Sequence, residues 1–291
     1  MTTTLLTLND GLTQLTLAPE AGASLVNWTR LSDGWPLLRH SDAQAIASAN
    51  PRRLGCYPLL PWSNRISAGG FQTPSGWQPL PANTEHATLS VHGTAWQQPW
   101  QILQANHQSA YLQLDSQSPF PYRASLHVQL SDGCLTLTLG ATHMGTQATW
   151  YGLGLHPYLT RTEHTYLEAP AKGVWLCDEN RLSTQWVELP EQWNFNKAAW
   201  LPHELVDNAF TAWPGSARII QRDAGYELVC QAQGTDVFLL YCPPEQKFFC
   251  FEPVTHPVNA HHMPERPGLL LLEPGQSCQL QFSLQYRPIT S

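Results

Sequence analysis

The sequence predicts an all-β protein, a large antiparallel β-sandwich, and three observations support this fold class. Apolar and polar residues alternate with a period of two in short runs along the whole chain, which is the pattern of half-buried strands. Proline (24 residues) and glycine (19 residues) interrupt these runs about every ten residues, as turns do. Strand patterns do not alternate with helix patterns, which argues against a parallel doubly wound sheet. We expect residues 1–291 to form one domain whose long loops hold the functional residues.

Turn residues between alternating runs predict two hairpins. TTTLLTL (2–8) and LTQLTLA (12–18) flank Asn9-Asp10-Gly11, and YRASLHVQL (122–130) and CLTLTLGAT (134–142) flank Ser131-Asp132-Gly133. SDAQAIASAN (41–50) predicts a helix of two turns, with Ser41 as N-cap and Pro51 as the stop. Seven further runs have strand patterns: SLVNWTRL (24–31), SAYLQLDS (109–116), YELVCQA (226–232), DVFLLYC (236–242), KFFCFE (247–252), GLLLLE (268–273) and SCQLQFSLQY (277–286).

Charge and composition argue against several classes of protein. The net charge is −7, and the 15 lysines and arginines form no basic run, so we expect no nucleic-acid partner. No stretch approaches the roughly 18 apolar residues of a membrane span. The start, MTTTLLTLND, lacks the basic region of a signal peptide, and seven cysteines without C-x-x-C are typical of reduced thiols. We expect a cytoplasmic protein, a monomer or homodimer, with no membrane partner.

Motifs for cofactors and metals are incomplete. There is no P-loop, GLGLHP lacks the third glycine of a dinucleotide fingerprint, and no G-x-S-x-G nucleophile elbow occurs. HELVD (203–207) ends in Asp207 where a zinc protease motif needs histidine. His256, His261 and His262 are zinc ligands by type, but no cysteine joins them at a suitable spacing. We expect no cofactor and no metal.

Five segments each place a polar residue in an apolar or glycine-rich context. Only 13% of the residues are charged, so such positions are informative. Taken singly, each also fits a turn, a strand end or a solvent-exposed position. The segments are PLLPWSNRIS (58–67) with Asn64 and Arg65, SVHGTAW (90–96) with His92, GLGLHPYL (152–159) with His156, LVDNAFTAW (205–213) with Asp207, and KFFCFEP (247–253) with Glu252.

Taken together and in this order, these segments resemble the aldose 1-epimerase (mutarotase) family from about residue 20 onward. The family's N-R-I, H-G, G-x-H-P-Y and E-P motifs have counterparts at 64–66, 92–93, 154–158 and 252–253. FEPVTHPVNA (251–260) is similar to a bacterial branch without an assigned substrate. Two places depart from the family pattern: His143-Met144-Gly145 stands where relatives often carry an asparagine before the glycine, and Leu159 follows H-P-Y where phenylalanine is common.

The resemblance implies a β-supersandwich with an open sugar-binding cleft and an isomerase activity. It implies that Glu252 is the base and His156 the acid in the opening and closing of a free hexose ring. Arg65, His92 and Asp207 would bind the sugar, with Asn64 supporting them. We expect a partly apolar wall to raise the pKa of Glu252, and His156 to titrate near neutral pH. Trp62, Trp96 and Trp213 either pack on the sugar ring or, as we expect, belong to the core.

Three alternatives stay open. The chain could be a carbohydrate-binding protein without turnover on the same fold. Its substrate could be a hexose phosphate, since Arg52 and Arg53 form an adjacent basic pair that could meet a phosphate. It could also be a metal-dependent β-barrel enzyme that uses the histidines.

Overall fold

The computed structural model describes residues 4–84 and 88–289, which are almost entirely strands and short connections. One α-helix, α1, spans Ala43–Ala47, and 3-10 helices span Pro51–Arg53, Ala95–Gln97, Glu191–Trp193 and Ala260–His262. The strands in the first half of the chain are β1 Leu6–Asn9, β2 Thr13–Ala18, β3 Ser24–Arg30, β4 Pro58–Leu59, β5 Arg65–Ile66, β6 Gly70–Thr73, β7 Gly76–Pro79, β8 Ser90–Val91, β9 Gln101–Ala105, β10 Ser109–Ser116, β11 Tyr122–Ser131, β12 Cys134–His143 and β13 Thr149–Tyr151. Those in the second half are β14 Gly154–Leu155, β15 Tyr158–Thr160, β16 Thr165–Glu168, β17 Gly173–Cys177, β18 Ser183–Glu188, β19 Ala199–Trp200, β20 Val206–Thr211, β21 Ser216–Gln221, β22 Tyr226–Gln233, β23 Val237–Cys242, β24 Phe248–Val254, β25 Leu270–Leu272 and β26 Ser277–Pro288.

Two large antiparallel sheets form the body of the molecule. One has nine strands in the order β19-β16-β21-β22-β26-β12-β11-β10-β9. The other has eight, in the order β18-β17-β20-β23-β24-β14-β4, with β15 also paired to β24. Buried side chains of both sheets belong to one hydrophobic core. The predicted all-β sandwich is therefore confirmed.

The β11–β12 hairpin shows why the alternating pattern forms this sheet. Leu135, Leu137 and Leu139 of β12 are buried, while the residues between them are only partly covered. Ser131 pairs with Cys134, and Asp132 (φ 50°) and Gly133 (φ 74°) between them have left-handed backbones. Such a two-residue turn matches the right-handed twist of the strands.

Strand β24 separates the core from the opposite face of the eight-stranded sheet. Its alternation sends Phe249 and Phe251 into the sandwich core, where Phe251 stacks on Phe238 of β23 at 4.7 Å between ring centroids. Cys250 and Glu252 consequently face the other way. The strand is buried on both faces, and a carboxylate lies on the face turned away from the main core.

The predicted helix is shorter than expected and begins elsewhere. Asp42, not Ser41, is the N-cap and accepts a hydrogen bond from the Ala45 amide at 2.7 Å. The Ser41 hydroxyl instead donates to the Val26 carbonyl at 2.7 Å. The helix spans Ala43–Ala47, so it forms little more than one turn and ends before Pro51.

The other expected strands are present within the described residues, and the first hairpin pairs Leu8 with Leu15. Thr2 and Thr3 of its predicted first strand lie outside the described residues. All seven cysteines are free. Within residues 4–84 and 88–289, no helix has the length and apolar character to cross a membrane.

Candidate active site

A pocket of about 500 Å³ opens over the eight-stranded sheet, a volume within the usual range for small-molecule sites. All six predicted site residues line it: Asn64, Arg65, His92, His156, Asp207 and Glu252. It is also lined by eight residues outside that prediction: Arg52, Tyr57, Thr84, Val91, Tyr158, Arg181, Leu205 and Tyr241. The chain therefore gathers into one cavity residues that are up to 200 positions apart in sequence, from Arg52 to Glu252.

Glu252 lies in the middle of β24, opposite Leu239 of β23, and is only 1% exposed. Its Oε1 atom is 3.4 Å from Nε2 of His156, and its Oε2 atom has no hydrogen-bond partner among the described residues. Burial raises the pKa of the Glu252 carboxyl well above its usual range, and the nearby Asp207 raises it further. The expected direction is confirmed, but the group is fully buried rather than partly so.

His156 is held between β14 and β15 by its backbone and by two aromatic rings. Its amide donates to the Tyr57 carbonyl at 3.0 Å, and the following Pro157 favours the extended conformation needed there. Tyr57 and Tyr158 stack on the imidazole, with centroids 4.7 and 4.6 Å away. The two stacked tyrosine rings restrict the imidazole to one plane and one orientation.

The same enclosure changes the titration of His156. Burial, assisted by the positive charge of Arg39, lowers its pKa to about 3. The expectation that His156 titrates near neutral pH is therefore wrong, because stacked tyrosines exclude the water that would stabilise an imidazolium.

Glu252 and His156 act as one titrating unit because their charged atoms are in contact. Burial disfavours both the carboxylate and the imidazolium. The two effects together favour a neutral pair, with the single proton on the carboxyl. One proton on two groups leaves one acid and one base, whichever group carries it.

His92 is arranged to donate a hydrogen bond into the pocket. Its Nδ1 accepts from the Asn64 amide at 3.0 Å, so in the neutral ring the proton is on Nε2. Burial lowers the pKa of His92 well below its usual range, which keeps the ring neutral. His92 has φ 64° and Gly93 has φ 67°, and a side chain at Gly93 would overlap the Leu60 backbone. The H-G pair thus forms a tight left-handed turn that presents the imidazole.

Asn64, Arg65 and Asp207 form a polar group beside the acid–base pair. The Asn64 Oδ1 accepts from the Arg65 amide and from its Nη1, both at 2.9 Å. Arg65 Nη1 is 4.0 Å from Oδ2 of Asp207. Burial raises the pKa of Asp207, while the positive charges of Arg65 and Arg181 oppose that rise. Asp207 lies in β20, paired with Tyr241, and not in the turn that Asp207-Asn208 also allowed. Asp207 and Glu252 are therefore held by strands, contrary to the expectation that loops carry the functional residues.

Two of the additional pocket residues had no usable local signal. Tyr57 lies in a short apolar stretch, and Arg181 is in the turn between β17 and β18. Tyr158, in contrast, belongs to the H-P-Y motif and could have been proposed from it. Trp62, Trp96 and Trp213 are 0%, 4% and 2% exposed, which confirms them as core residues.

The histidines considered as zinc ligands have structural contacts. His256 Nε2 accepts from the Ser63 amide at 3.1 Å, and His262 Nε2 bonds the Gly70 carbonyl at 2.8 Å. His261 packs on Phe71 at 4.4 Å. Within the described part of the chain, the metal-type side chains that do converge are His156, Cys250 and Glu252, whose ligand atoms lie within 4.8 Å of one another. Burial raises the pKa of the Cys250 thiol well above its usual range, which disfavours the thiolate that a metal requires.

Comparisons with known proteins agree with this architecture. A sequence model described as aldose 1-epimerase matches residues 4–285. The chain is 32% identical over 292 residues to the uncharacterized protein YphB of Escherichia coli K12, covering 97% of this chain and 98% of YphB. It is 26% identical over 240 residues to the uncharacterized protein YihR of the same strain, covering 78% and 77%.

Solved structures give the same result. The crystal structure of an Escherichia coli K12 protein provisionally assigned as an aldose 1-epimerase superposes with a TM-score of 0.92 at 31% identity, covering 98% of this chain and 99% of that one. A galactose mutarotase-like protein from Clostridium acetobutylicum superposes with a TM-score of 0.86 at 16% identity, covering 99% and 96%, and it supports the fold alone. The chain belongs to the aldose 1-epimerase family.

Proposed function

We propose that the protein is an aldose 1-epimerase, which interconverts the α and β anomers of a monosaccharide. The observation that carries this proposal is the buried Glu252–His156 pair, 3.4 Å apart at the base of a polar pocket. The expected partner is therefore a small-molecule sugar. One domain over residues 1–291, a cytoplasmic location and a monomer or homodimer stay predictions.

Anomer exchange needs one base and one acid that act on neighbouring atoms. A base takes the proton of the anomeric hydroxyl, an acid protonates the ring oxygen, and the bond between C1 and the ring oxygen breaks. The C1–C2 bond then rotates, and the reverse transfers close the ring on the other face. Both oxygens are bonded to C1, so the acid and the base must converge. A separation of 3.4 Å between Oε1 and Nε2 meets this requirement.

The proton balance of the pair fits this cycle. With Glu252 as base and His156 as acid, opening converts a carboxylate and an imidazolium into a carboxyl and a neutral imidazole, and closing restores them. Burial favours the neutral form, which is the form paired with the open-chain sugar. A bound cyclic sugar would donate a hydroxyl to Oε2 of Glu252, which has no donor among the described residues, and so favour the carboxylate.

The remaining pocket residues would orient the sugar. The Nε2–H of His92 and the guanidinium of Arg65 are donors, and Asp207 accepts hydrogen bonds from hydroxyls. Asn64 holds Arg65 in place through two hydrogen bonds of 2.9 Å. Fixed donors and acceptors of this kind keep the ring aligned with the acid–base pair while its bonds change.

The proposal is tested by anomer exchange, measured by NMR saturation transfer on a panel of aldoses. We expect the purified protein to accelerate exchange for at least one sugar, and His156→Asn to remove most of that acceleration while the fold is retained. Asp115→Asn, at an exposed position of β10 outside the pocket, is the control. Saturable sugar binding without any exchange would favour the alternative of a carbohydrate-binding protein without turnover.

A further inference from the structure

The pocket holds more positive charge than a neutral sugar requires. Three arginines line it, namely Arg52, Arg65 and Arg181. Arg65 lies 4.0 Å from Asp207, so that pair is close to balanced. The other pocket carboxyl, Glu252, has its pKa raised well above the usual range by burial. Among the residues that the structure describes, two guanidinium groups, those of Arg52 and Arg181, are therefore left without a counter-charge.

Arg52 is held at the pocket by its backbone and by an aromatic ring. It lies in the 3-10 helix Pro51–Arg53, whose N-cap Asn50 accepts from the Arg52 amide at 3.1 Å. Its guanidinium carbon lies 5.2 Å from the centroid of the Trp96 ring. The Arg52 side chain is half-buried, and within residues 4–84 and 88–289 it has neither a hydrogen bond nor a carboxylate within 4.0 Å. Burial is the main cause that lowers the pKa of His92, and the charge of Arg52 adds to it, which places that charge within reach of the site.

Arg181 reaches the pocket from the turn between β17 and β18, where it has φ 62°. Asp178 in the same turn forms no ion pair with it among the described residues, and its Oδ1 instead accepts from the amides of Asn180 at 2.8 Å and Leu182 at 3.0 Å. Throughout the described part of the chain, no side-chain hydrogen bond or ion pair is made by the Arg181 guanidinium. Its charge opposes the rise that burial produces in the pKa of Asp207, so it too acts on the pocket.

We propose that the substrate is a monosaccharide that carries an anionic substituent, a phosphate or a carboxylate, whose charge is met by Arg52 and Arg181. This inference rests on the proposed epimerase function and selects a charged substrate over a free neutral hexose. Half-buried guanidinium groups lose hydration, and an anion in the pocket restores their interactions. Their planar donor geometry matches both phosphate and carboxylate oxygens. Arg53, the other half of the basic pair, is exposed and does not line the pocket.

The test compares kcat/KM for anomer exchange of glucose, glucose 6-phosphate and glucuronate, and of the matching galactose series, after subtraction of spontaneous exchange. We expect an anionic sugar to exceed its neutral counterpart by about tenfold or more, the contribution of one hydrogen bond between charged groups. Arg52→Gln and Arg181→Gln should each lower this ratio by about tenfold, mainly through KM, whereas Arg53→Gln should keep it. Raising the ionic strength should lower the ratio in the wild type.

The outcomes of this experiment distinguish a phosphate from a carboxylate, and they distinguish failure of the anionic substrate from failure of the epimerase function. Preference for the 6-phosphates together with competition by inorganic phosphate identifies a phosphate, and preference for the uronates identifies a carboxylate. Equal or faster exchange of neutral sugars, with a ratio unchanged in Arg52→Gln and Arg181→Gln, overturns the anionic substrate and leaves the epimerase function standing. Exchange of no sugar in either series overturns both.

Discussion

Replacement of Glu252 by glutamine isolates the catalytic proton transfer from the stability of the fold. Burial raises the pKa of this carboxyl well above its usual range and so favours its protonated form. Glutamine has nearly the same shape as a protonated glutamic acid and is also uncharged. We therefore expect Glu252→Gln to change the free energy of unfolding by less than about 1.5 kcal/mol, as for other volume-conserving changes.

The same substitution should have a large effect on the rate. Glutamine cannot accept and return a proton, and His156, 3.4 Å away, is left without its partner. General acid–base catalysis contributes about 10²–10⁴-fold, so kcat should fall by at least about 10²-fold. Glu252→Asp keeps the carboxyl but retracts it by one methylene, and it should lose about 10²-fold through misplacement alone.

Exchange NMR gives the rate, and thermal unfolding of the same samples gives the stability. A normal unfolding curve together with a lost rate is the expected result. If Glu252→Gln exchanges anomers at near the wild-type rate, the carboxyl is not the base and the assignment of the pair is refuted. If the variant unfolds far below the wild type, the carboxyl carries a charge in the folded protein and the neutral pair is refuted.

Three further predictions follow from pKa directions and backbone geometry. The acid–base pair gains a second proton only near pH 3, because burial lowers the pKa of His156 to about 3. The value of kcat/KM should therefore not fall as the pH is lowered from 7 to about 5. A fall centred near pH 6.5 would show an ordinary histidine. Burial also lowers the pKa of His256 from 6.5 to about 4 in the folded protein. Below pH 6.5 the unfolded chain therefore binds a proton that the folded protein does not. The free energy of unfolding should fall as the pH is lowered, and the loss should reach about 3 kcal/mol at pH 4. The free energy of unfolding of His256→Gln should therefore fall less than that of the wild type between pH 7 and 4.5. Urea titrations at several pH values measure this, and the same pH dependence in both proteins would contradict the prediction. Gly93 has φ 67° and a Cβ there would overlap a neighbouring backbone, whereas Gly11 has φ 87° and lies in open space. Gly93→Ala should therefore lower the free energy of unfolding by more than about 1 kcal/mol, and by more than Gly11→Ala does. Equal melting temperatures of the two variants would refute the steric reasoning.

The parts of the fold that could be predicted are those set by residues close in sequence. Asp132 and Gly133 define the β11–β12 turn by themselves, and the alternation of β24 already separates Phe251 from Glu252. The helix start was wrong for a long-range reason. Serine and aspartate are both good N-caps, and the choice between them depends on the Val26 carbonyl, 15 residues away, which takes the Ser41 hydroxyl.

The residues of the candidate site likewise fall into those that short sequence motifs predict and those that depend on distant parts of the chain. Its six residues could be proposed because each lies in a short motif and the order of the motifs resembles a known family. Arg181 and Tyr57 could not, because their place in the pocket depends on how distant strands pair. The lowered pKa of His156 was missed for the same reason, since it results from the stacking of Tyr57 and Tyr158 on the imidazole.

The burial of Glu252 inside a sheet explains both why its charge would destabilise the fold and how its proton can be used in catalysis. An isolated carboxylate in a strand with both faces buried would be strongly destabilising. A single proton, held between Glu252 and His156, removes that penalty because the pair is then neutral. A hydrogen bond from a ligand hydroxyl favours the carboxylate and hence the transfer of this proton to His156, and the pocket side is the face from which such a hydroxyl can approach. The burial that holds the pair neutral at rest therefore makes its ionisation depend on a bound hydroxyl compound, so that the proton moves when substrate is present.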